Sequence, residues 1–410
     1  MSAQLVMGLG GTVDYEVTWD ASVLERLVEQ YGIEADELSV SIPVTSERDL
    51  VVALLGFIRD GVGGEKFVAS SSVLEGFAAR FERRITLGGT CVRAAMAMRI
   101  FGLGCVLHLV SIDDHVRRLL PEGCDYLCSA DHDATDPHVI VQFAQGARVC
   151  AGGIDIRASH PNRVILVNDP PNRELALSDE LGDALSTADV FMVAGFNVMQ
   201  DADLLDQRLV SLTEHMRRLP EDAVVFFEDA GYHVPALSRR VRDALLDRID
   251  IYSMNEEEMQ GYVGRSVDLL DADEMAAALH DLALEVPARM LVVHSKYWSL
   301  AFGDGARAYE AGLLGGIVMA STRYRHGDVY TEREYREVGA LPVHERGREL
   351  AAGLVARLGG AVCCLPALVV PVDRPTTIGL GDTFVGGFVA ALARAVPPAS
   401  RRLHDPRHPG

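Results

Sequence analysis

The sequence predicts an α/β protein whose mostly parallel central sheet is covered by helices on both faces. From residue 175 onward, segments with helical periodicity alternate with short apolar segments, which is typical of parallel strands joined by helices. The apolar segments, such as DVFMVAG at 189–195, show almost no polar alternation, as strands buried on both faces require. Polar residues follow many of these strands, at the edge where such sheets bind ligands. These observations favour an enzyme over a scaffold.

The individual elements follow from hydrophobic periodicity and from glycine or proline at their ends. Residues 83–102 are predicted to form a strand, a Gly-Gly turn and a helix, and 61–70 a turn with a short strand. A Gly-rich link is expected between 144 and 163. The other predicted strands are 4–10, 105–111, 138–144, 163–169, 189–195, 223–229, 249–255 and 290–295, and the other predicted helices are 21–32, 47–59, 178–186, 201–218, 235–247, 272–283 and 344–358.

Two parts of the N-terminal half depart from this alternation, and they predict a smaller, discontinuous α/β lid domain. The lid is assigned to residues 13–85 and 112–162. The rest of the chain forms the large catalytic core and a short C-terminal tail, which is rich in proline and arginine and is expected to fray. The core is assigned to 1–12, 86–111 and 163–396, and the tail to 397–410.

Composition limits the classes of partner. The 410 residues carry a formal net charge of −21, which argues against nucleic acid or an acidic membrane surface as a partner. The seven cysteines are scattered without zinc-finger spacing, so we expect reduced thiols. Neither a signal peptide nor an apolar run of about 18 residues is recognisable in the sequence. We therefore expect a cytoplasmic protein that binds small molecules.

The segment TIGLGDTFVGGF (377–388) carries the strongest chemical signal. Gly379 and Gly381 flank Leu380 and allow consecutive backbone N–H groups to point into one hollow before a predicted helix. Such a hollow binds an anion, and a phosphoryl group in transfer is one candidate. Asp382 could accept a proton from an attacking hydroxyl. An N-capping aspartate behind a tight turn explains the tetrapeptide alone equally well.

Two other nucleotide-binding motifs are ruled out. No G-x-x-x-x-G-K-[ST] occurs, and neither of the two lysines, Lys66 and Lys296, follows a glycine loop. The early GLGGTVD, residues 8–14, lacks the third glycine of G-x-G-x-x-G and is followed by an acidic residue where that motif opens a helix. A P-loop enzyme and a dinucleotide-dependent dehydrogenase are therefore both disfavoured.

Six short motifs, in their order along the chain, resemble the ADP-dependent glucokinase and phosphofructokinase family of the ribokinase-like superfamily. The resemblance extends over about residues 5–390 and implies a ribokinase-like three-layer core, a lid, and phosphoryl transfer from ADP to a sugar. The motifs are PHVIVQF (137–143), PNRVIL (161–166), VFFEDA (225–230), SMNEEEM (253–259), VVHSKYW (292–298) and TIGLGD (377–382).

The resemblance implies a donor side with a base, an anion hollow, a magnesium site and nucleotide contacts. Asp382 matches the family's catalytic base, and 379–381 matches its anion hole. The resemblance assigns Glu258 and Glu228 to Mg²⁺, with Asn255 beside them. It assigns Arg163, Asn197, His294, Ser295 and Asn255 to the nucleotide. The simpler alternatives are a helix-face carboxylate for Glu258, a solvated arginine for Arg163 and a core histidine for His294.

The acceptor side is matched less completely. Asp14 resembles the acid that binds sugar hydroxyls, and Glu65 resembles a lid glutamate of glucose-type members, which favours an unphosphorylated acceptor. An exposed turn residue is the alternative for Glu65. Gly88, Gly89, Thr90 and His138 complete the implied sugar site, while Thr12, Thr90, Arg93, Gln142 and Phe226 depart from the family pattern.

These departures leave three hypotheses open. The first is an ADP-dependent sugar kinase with Mg²⁺ as its cofactor. The second is the same fold with ATP as donor, or with a modified sugar or nucleoside as acceptor. The third is a catalytically silent protein that binds sugar and nucleotide.

Overall fold

The computed structural model describes residues 4–372, 375–376 and 378–395, so the tail predicted at 397–410 lies outside the described residues. Within these limits the chain forms sixteen strands. They are β1 Leu5–Gly8, β2 Thr12–Val17, β3 Gly64–Phe67, β4 Arg83–Gly88, β5 Cys105–Leu109, β6 Cys124–Cys128, β7 His138–Phe143, β8 Arg148–Ala151, β9 Ile154–Arg157, β10 Asn162–Val167, β11 Val190–Val193, β12 Val224–Glu228, β13 Ile251–Asn255, β14 Met290–His294, β15 Trp298–Phe302 and β16 Val362–Pro366.

Fifteen α-helices join these strands in the described part of the chain. They are α1 Ala21–Tyr31, α2 Glu47–Asp60, α3 Ser71–Ala78, α4 Thr90–Met98, α5 Asp114–Leu119, α6 Pro170–Glu174, α7 Leu181–Leu185, α8 Ala202–Met216, α9 Pro235–Leu245, α10 Glu256–Val263, α11 Ala272–Glu285, α12 Glu310–His326, α13 Glu332–Gly339, α14 Glu345–Leu358 and α15 Leu380–Ala395. Short 3₁₀ turns extend several of them. None of the described helices is long and apolar enough to cross a membrane.

The large sheet has nine strands in the order β16-β15-β14-β13-β12-β11-β1-β5-β6. All neighbouring pairs from β14 to β6 are parallel, and β15 alone runs against its two neighbours. Side chains that alternate along β1 enter different clusters: Leu5 and Met7 pack on one face, and Val6 packs on the other. This is the predicted mostly parallel sheet with helices on both faces.

The small sheet has five strands in the order β3-β10-β7-β2-β4, with both parallel and antiparallel pairs. Helices α1 and α2 pack behind it through buried residues such as Leu24, Leu27 and Leu54. The chain passes from the large sheet to the small sheet at Leu9–Gly11, between β1 and β2. The division into core and lid remains a prediction, which these two sheets support.

Strand pairing departs from the expected domain boundaries at three places. Strands β4 and β10 end in the small sheet, at Gly88 and Val167, so each reaches beyond the boundary predicted at 85 or 162. Strand β6 lies in the predicted lid segment but pairs with β5, as Cys105 pairs with Cys124. Sheet membership depends on such long-range pairing, which local sequence does not reveal.

The sequence also left some elements unassigned. The Gly-rich link contains the hairpin β8–β9, and α12 was not predicted because its three glycines weaken the helical signal. Those glycines allow α12 to approach α15. A Cβ atom at Gly315 would lie 2.6 Å from the Gly387 oxygen, and one at Gly316 would lie 2.5 Å from the Phe384 ring.

Candidate active site

Three polar side chains meet at the carboxyl edge of the large sheet. Glu228 ends β12, Asn255 ends β13 and His294 ends β14, and Asn255 pairs in register with His294. The imidazole Nε2 of His294 lies 3.0 Å from Glu228 Oε1, and both side chains are buried. The parallel topology therefore gathers residues that are 66 positions apart into one ion pair.

The electrostatics of this edge are dominated by buried carboxylates. Burial, together with the charges of Glu228 and Asp229, raises the pKa of Glu258 to about 8. Burial disfavours the charged form of His294, but the hydrogen bond and charge of Glu228 and the charge of Glu258 outweigh it and raise its pKa. The second oxygen of Glu228, Oε2, is buried without a hydrogen-bond partner. This edge is therefore short of positive charge.

Asn255 and Glu258 also have a structural function. The Asn255 side chain accepts from the backbone N–H groups of Glu257 and Glu258, at 2.8 and 2.9 Å. Glu258 Oε2 accepts from the Asn255 N–H at 2.8 Å, which completes a capping box at the start of α10. Capping thus accounts for one carboxylate oxygen of Glu258 and leaves Oε1 for another partner.

The GLGD turn lies beside this edge. Gly379 adopts a φ of +65°, and helix α15 begins at the next residue, so Asp382 stands in its first turn. The ring of His294 packs against Phe384 with centroids 4.6 Å apart. A Cβ atom at Gly381 would lie 3.4 Å from His294 Cε1. The turn and the strand ends therefore form one continuous surface.

The small sheet presents the predicted sugar-binding side chains on a single face. Asp14 pairs in register with His138, and Glu65 pairs with Ile165, which pairs with Ile140. His138 lies two residues before Ile140, so all three polar side chains share one face. Gly88 pairs with Thr12, and a Cβ atom at Gly88 would lie 2.5 Å from Asp14 Oδ2.

His138 is held by a buried group that the sequence did not single out. Its Nε2 lies 2.9 Å from Asp169 Oδ2, and the same oxygen accepts from Asn172 Nδ2 at 2.7 Å. Burial alone would lower the pKa of His138, but the hydrogen bond to Asp169 and the charges of Asp14 and Glu65 raise it to about 9. Asn172 also donates to the Gly11 oxygen at 2.9 Å, so it joins the crossing after β10 to the crossing between β1 and β2.

Arg93, on α4, joins the small sheet to the GLGD turn. Its Nη2 donates to Asp14 Oδ2 at 2.6 Å, and its Nε lies 3.8 Å from Asp382 Oδ2. The predicted sugar-binding acid and the predicted base are thus neighbours of one guanidinium. The sequence identified Arg93 as a departure but could not supply its partners.

Four predicted site residues are less central. Arg163 shares the face of His138 but pairs with Gln142, four positions along β7, or about 13 Å from the Asp14 row. The Ser295 hydroxyl donates to the Trp298 oxygen at 3.0 Å and so shapes the β14–β15 turn. Asn197 lies in a 3₁₀ turn, where its backbone carbonyl oxygen accepts a hydrogen bond from the backbone N–H of His233. Thr90 is the first residue of α4.

The sequence did not identify three further side chains of the site. His233 contacts Glu65, Asp169 caps α6, and Asn172 donates to the Gly11 oxygen between β1 and β2. The Asp-Pro-Pro at 169–171 was an available signal, because aspartate at the N-cap followed by proline marks a helix start. His233 carried no comparable signal.

The donor set suits a hydrated magnesium ion. Within residues 4–372, 375–376 and 378–395, no three Asp, Glu, His or Cys side chains converge as a protein-only metal site. Mg²⁺ does not require such a cage, because it keeps waters and binds one or two carboxylates together with phosphate oxygens. The unpartnered oxygen of Glu228 and the raised pKa of Glu258 both indicate a place where a cation would be stabilised.

Comparison with known proteins identifies the family of the chain. A family model described as "ADP-specific Phosphofructokinase/Glucokinase conserved region" matches residues 3–285. An ADP-dependent glucose/glucosamine kinase of Pyrococcus furiosus is 20% identical over 449 residues, with 95% of each chain covered. The motifs quoted above therefore occur in a chain that is similar to a sugar kinase over nearly its whole length.

Solved structures share the fold. A phosphofructokinase from Pyrococcus horikoshii, solved with AMP, superposes with a TM-score of 0.76 at 16% identity, covering 96% of this chain and 98% of that one. An ADP-dependent kinase in complex with fructose 6-phosphate and ADPβS gives 0.69 at 15% identity, covering 95% and 94%. The predicted ribokinase-like α/β class is confirmed. Because the family match spans more than half of the chain, the protein belongs to the ADP-specific phosphofructokinase/glucokinase family and is an ADP-dependent sugar kinase.

Proposed function

We propose that the enzyme transfers the terminal phosphoryl group of ADP to a hydroxyl of a glucose-like sugar, with Asp382 as the base. The observation that carries this proposal is the position of Asp382 in the first turn of α15, behind Gly379 and beside the Arg93–Asp14 pair. The acceptor oxygen attacks the terminal phosphorus while the bond from that phosphorus to the bridging oxygen of ADP breaks. AMP leaves, and Asp382 takes the hydroxyl proton.

The backbone of 379–381 and the positive end of α15 would bind the phosphoryl oxygens. Mg²⁺, when bound, supplies positive charge that offsets the negative charge of the phosphates. Glu228 and Glu258 would hold it through water, since Glu228 Oε2 is buried without a hydrogen-bond partner and burial with neighbouring acids raises the pKa of Glu258. Closure of the small sheet over the large one would exclude water, so that the sugar hydroxyl is the nucleophile.

An unphosphorylated acceptor is favoured by the charges on the small-sheet face. Asp14 and Glu65 share that face. A carboxylate there accepts hydrogen bonds from sugar hydroxyls but repels the negative charge of a sugar phosphate. The similarity to a glucose/glucosamine kinase supports this choice, whereas the phosphofructokinase structures represent the alternative acceptor.

A second candidate, a modified sugar or nucleoside, is favoured by one observation. Thr12 donates to Asp14 Oδ1 at 2.7 Å and Arg93 donates to Oδ2 at 2.6 Å. Both carboxylate oxygens of Asp14 therefore already accept a hydrogen bond within the protein. A substrate that needs fewer hydrogen bonds from its hydroxyls to Asp14 would fit this arrangement.

A substrate matrix and one variant test the proposal. ADP and ATP are each combined with glucose, glucosamine, fructose 6-phosphate and nucleosides, and phosphorylated product is measured. We expect turnover with ADP and an unphosphorylated sugar. Asp382→Asn should lose at least about 10³-fold in kcat while still binding ADP by calorimetry. Unchanged turnover of that variant would refute the mechanism, and wild-type inactivity with every unphosphorylated sugar would refute the proposed acceptor class.

A further inference from the structure

Arg93 occupies a position that links two otherwise separate parts of the site. Its side chain is 5% exposed, and it contacts Asp14 from β2 and approaches Asp382 from α15. The two carboxylates belong to different elements, and Arg93 on α4 is a neighbour of both. A buried cation is expensive unless acids surround it, so these contacts, together with the nearby charge of Asp328, allow Arg93 to stay buried and charged.

The packing fixes the orientation of the guanidinium. A Cβ atom at Gly379 would lie 2.8 Å from Arg93 Cδ and 3.0 Å from its Nη1, so the side chain lies directly against the turn. Asp14 is fixed in the same way, because Thr12 donates to one of its oxygens and Arg93 to the other. Gly88 leaves the space in which Asp14 reaches Arg93.

The charge of Arg93 has a direct consequence for the reaction. Without it, Asp14 and Asp382 would be two like charges near one another with no cation between them, and they would repel each other. A planar guanidinium can serve two carboxylates at a fixed angle, whereas an ammonium group provides a point charge. The spacing between the acceptor-binding acid and the base therefore depends on this residue.

We propose that Arg93 is the positioning residue that holds Asp14 and Asp382 in a fixed relation, so that an acceptor bound through Asp14 presents another of its hydroxyls to Asp382. The inference rests on the proposed roles of those two acids. It identifies Arg93 as a determinant of acceptor use that acts through its neighbours, without requiring contact with the nucleotide.

Arg93→Met, Arg93→Lys and Asp382→Asn are compared with the wild type and with Arg93→Met/Asp382→Asn. Arg93→Met should lower kcat with the best acceptor about 100-fold and raise its KM, while the Kd for ADP stays within twofold. Arg93→Lys, which keeps the charge and tests folding, should recover at least tenfold of that loss. The double variant should be no slower than Asp382→Asn alone, because Arg93 acts through the base.

Arg242→Met is the matched control, since this arginine is as buried as Arg93 and donates to Glu285 Oε1 at 2.9 Å; its kcat should be unchanged. Full activity of Arg93→Met would overturn the inference and leave the proposed function intact. Additive losses in the double variant, with a weakened ADP Kd, would overturn it in favour of a purely structural role. Full activity of Asp382→Asn would instead refute the proposed function.

Discussion

Glu65 Oε1, on the small sheet, lies 3.2 Å from His233 Nε2, which follows β12 of the large sheet. The ring of His233 also packs against Phe67, with centroids 4.9 Å apart. This contact joins the two sheets across the face that carries Asp14 and His138. Glu65 therefore has two partners in the proposed closed enzyme. One is the imidazole of His233 from the large sheet, and the other is a hydroxyl of the bound sugar.

Glu65→Gln should change acceptor preference more than turnover. The amide keeps the size of the side chain but removes the charge, so a hydrogen bond to a sugar hydroxyl is weakened by about 1–2 kcal/mol. We expect KM for the unphosphorylated sugar to rise about tenfold, while kcat/KM for fructose 6-phosphate does not fall. Steady-state kinetics with both acceptors measure this. Glu29→Gln, on the exposed side of α1, is the control, and equal losses for both acceptors would contradict the assignment.

The sequence predicted the large sheet well because its strands are continuous apolar segments. The strand expected at 290–295 is Met290–His294, and the one at 249–255 is Ile251–Asn255. The sequence could not predict which sheet β6 joins, because that depends on the pairing of Cys105 with Cys124. The contacts of Arg93 and His233 were inaccessible for the same reason: their partners lie 79 or more residues away.

Gly379→Ala should reduce activity through both strain and contact. A left-handed φ of +65° costs a non-glycine residue about 1–2 kcal/mol. The new methyl would also lie 2.8 Å from Arg93 Cδ and displace the guanidinium from Asp382. We expect kcat to fall at least about tenfold. Gly305→Ala is the matched control because it has a φ of +76° with open space around it, so it should lose similar stability but no activity.

The His138–Asp169 pair should make stability depend on pH. Burial opposes the charge on His138, but Asp169, Asp14 and Glu65 raise its pKa from 6.5 to about 9. A raised pKa means that the native state binds the extra proton, so the stabilisation is complete below pH 6.5 and is lost as the pH rises through about 9. At about 1.4 kcal/mol per pKa unit, it amounts to roughly 3 kcal/mol.

Asp169→Asn removes most of the stabilisation that comes from the raised pKa of His138. Denaturant titrations at pH 6 and pH 9.5 should show the variant strongly destabilised at the lower pH and much less so at the higher one, and NMR titration should show a lower pKa for His138. Asp131→Asn removes the partner of His132, whose side chain is 78% exposed, and should change neither. A loss of stability equal at both pH values would show that capping of α6 by Asp169, without the ion pair, explains its effect.

Glu258→Gln separates the capping function of this residue from its proposed function at Mg²⁺. Glutamine can still complete the capping box with Asn255, so folding should be retained. Burial and neighbouring acids raise the pKa of Glu258 to about 8. The variant should therefore be at least as stable as the wild type in metal-free buffer near neutral pH.

With ADP and Mg²⁺ present, the order should reverse. The wild type should gain more in unfolding temperature than Glu258→Gln, and the Mg²⁺ concentration for half-maximal activity should rise at least about tenfold in the variant. Glu334→Gln is the matched control, since Glu334 completes a capping box with Thr331 at an exposed helix start. Its metal requirement should be unchanged. If both glutamine variants responded to Mg²⁺ like the wild type, Glu258 would be a cap alone, and the cation would have to be held through Glu228 and the phosphates.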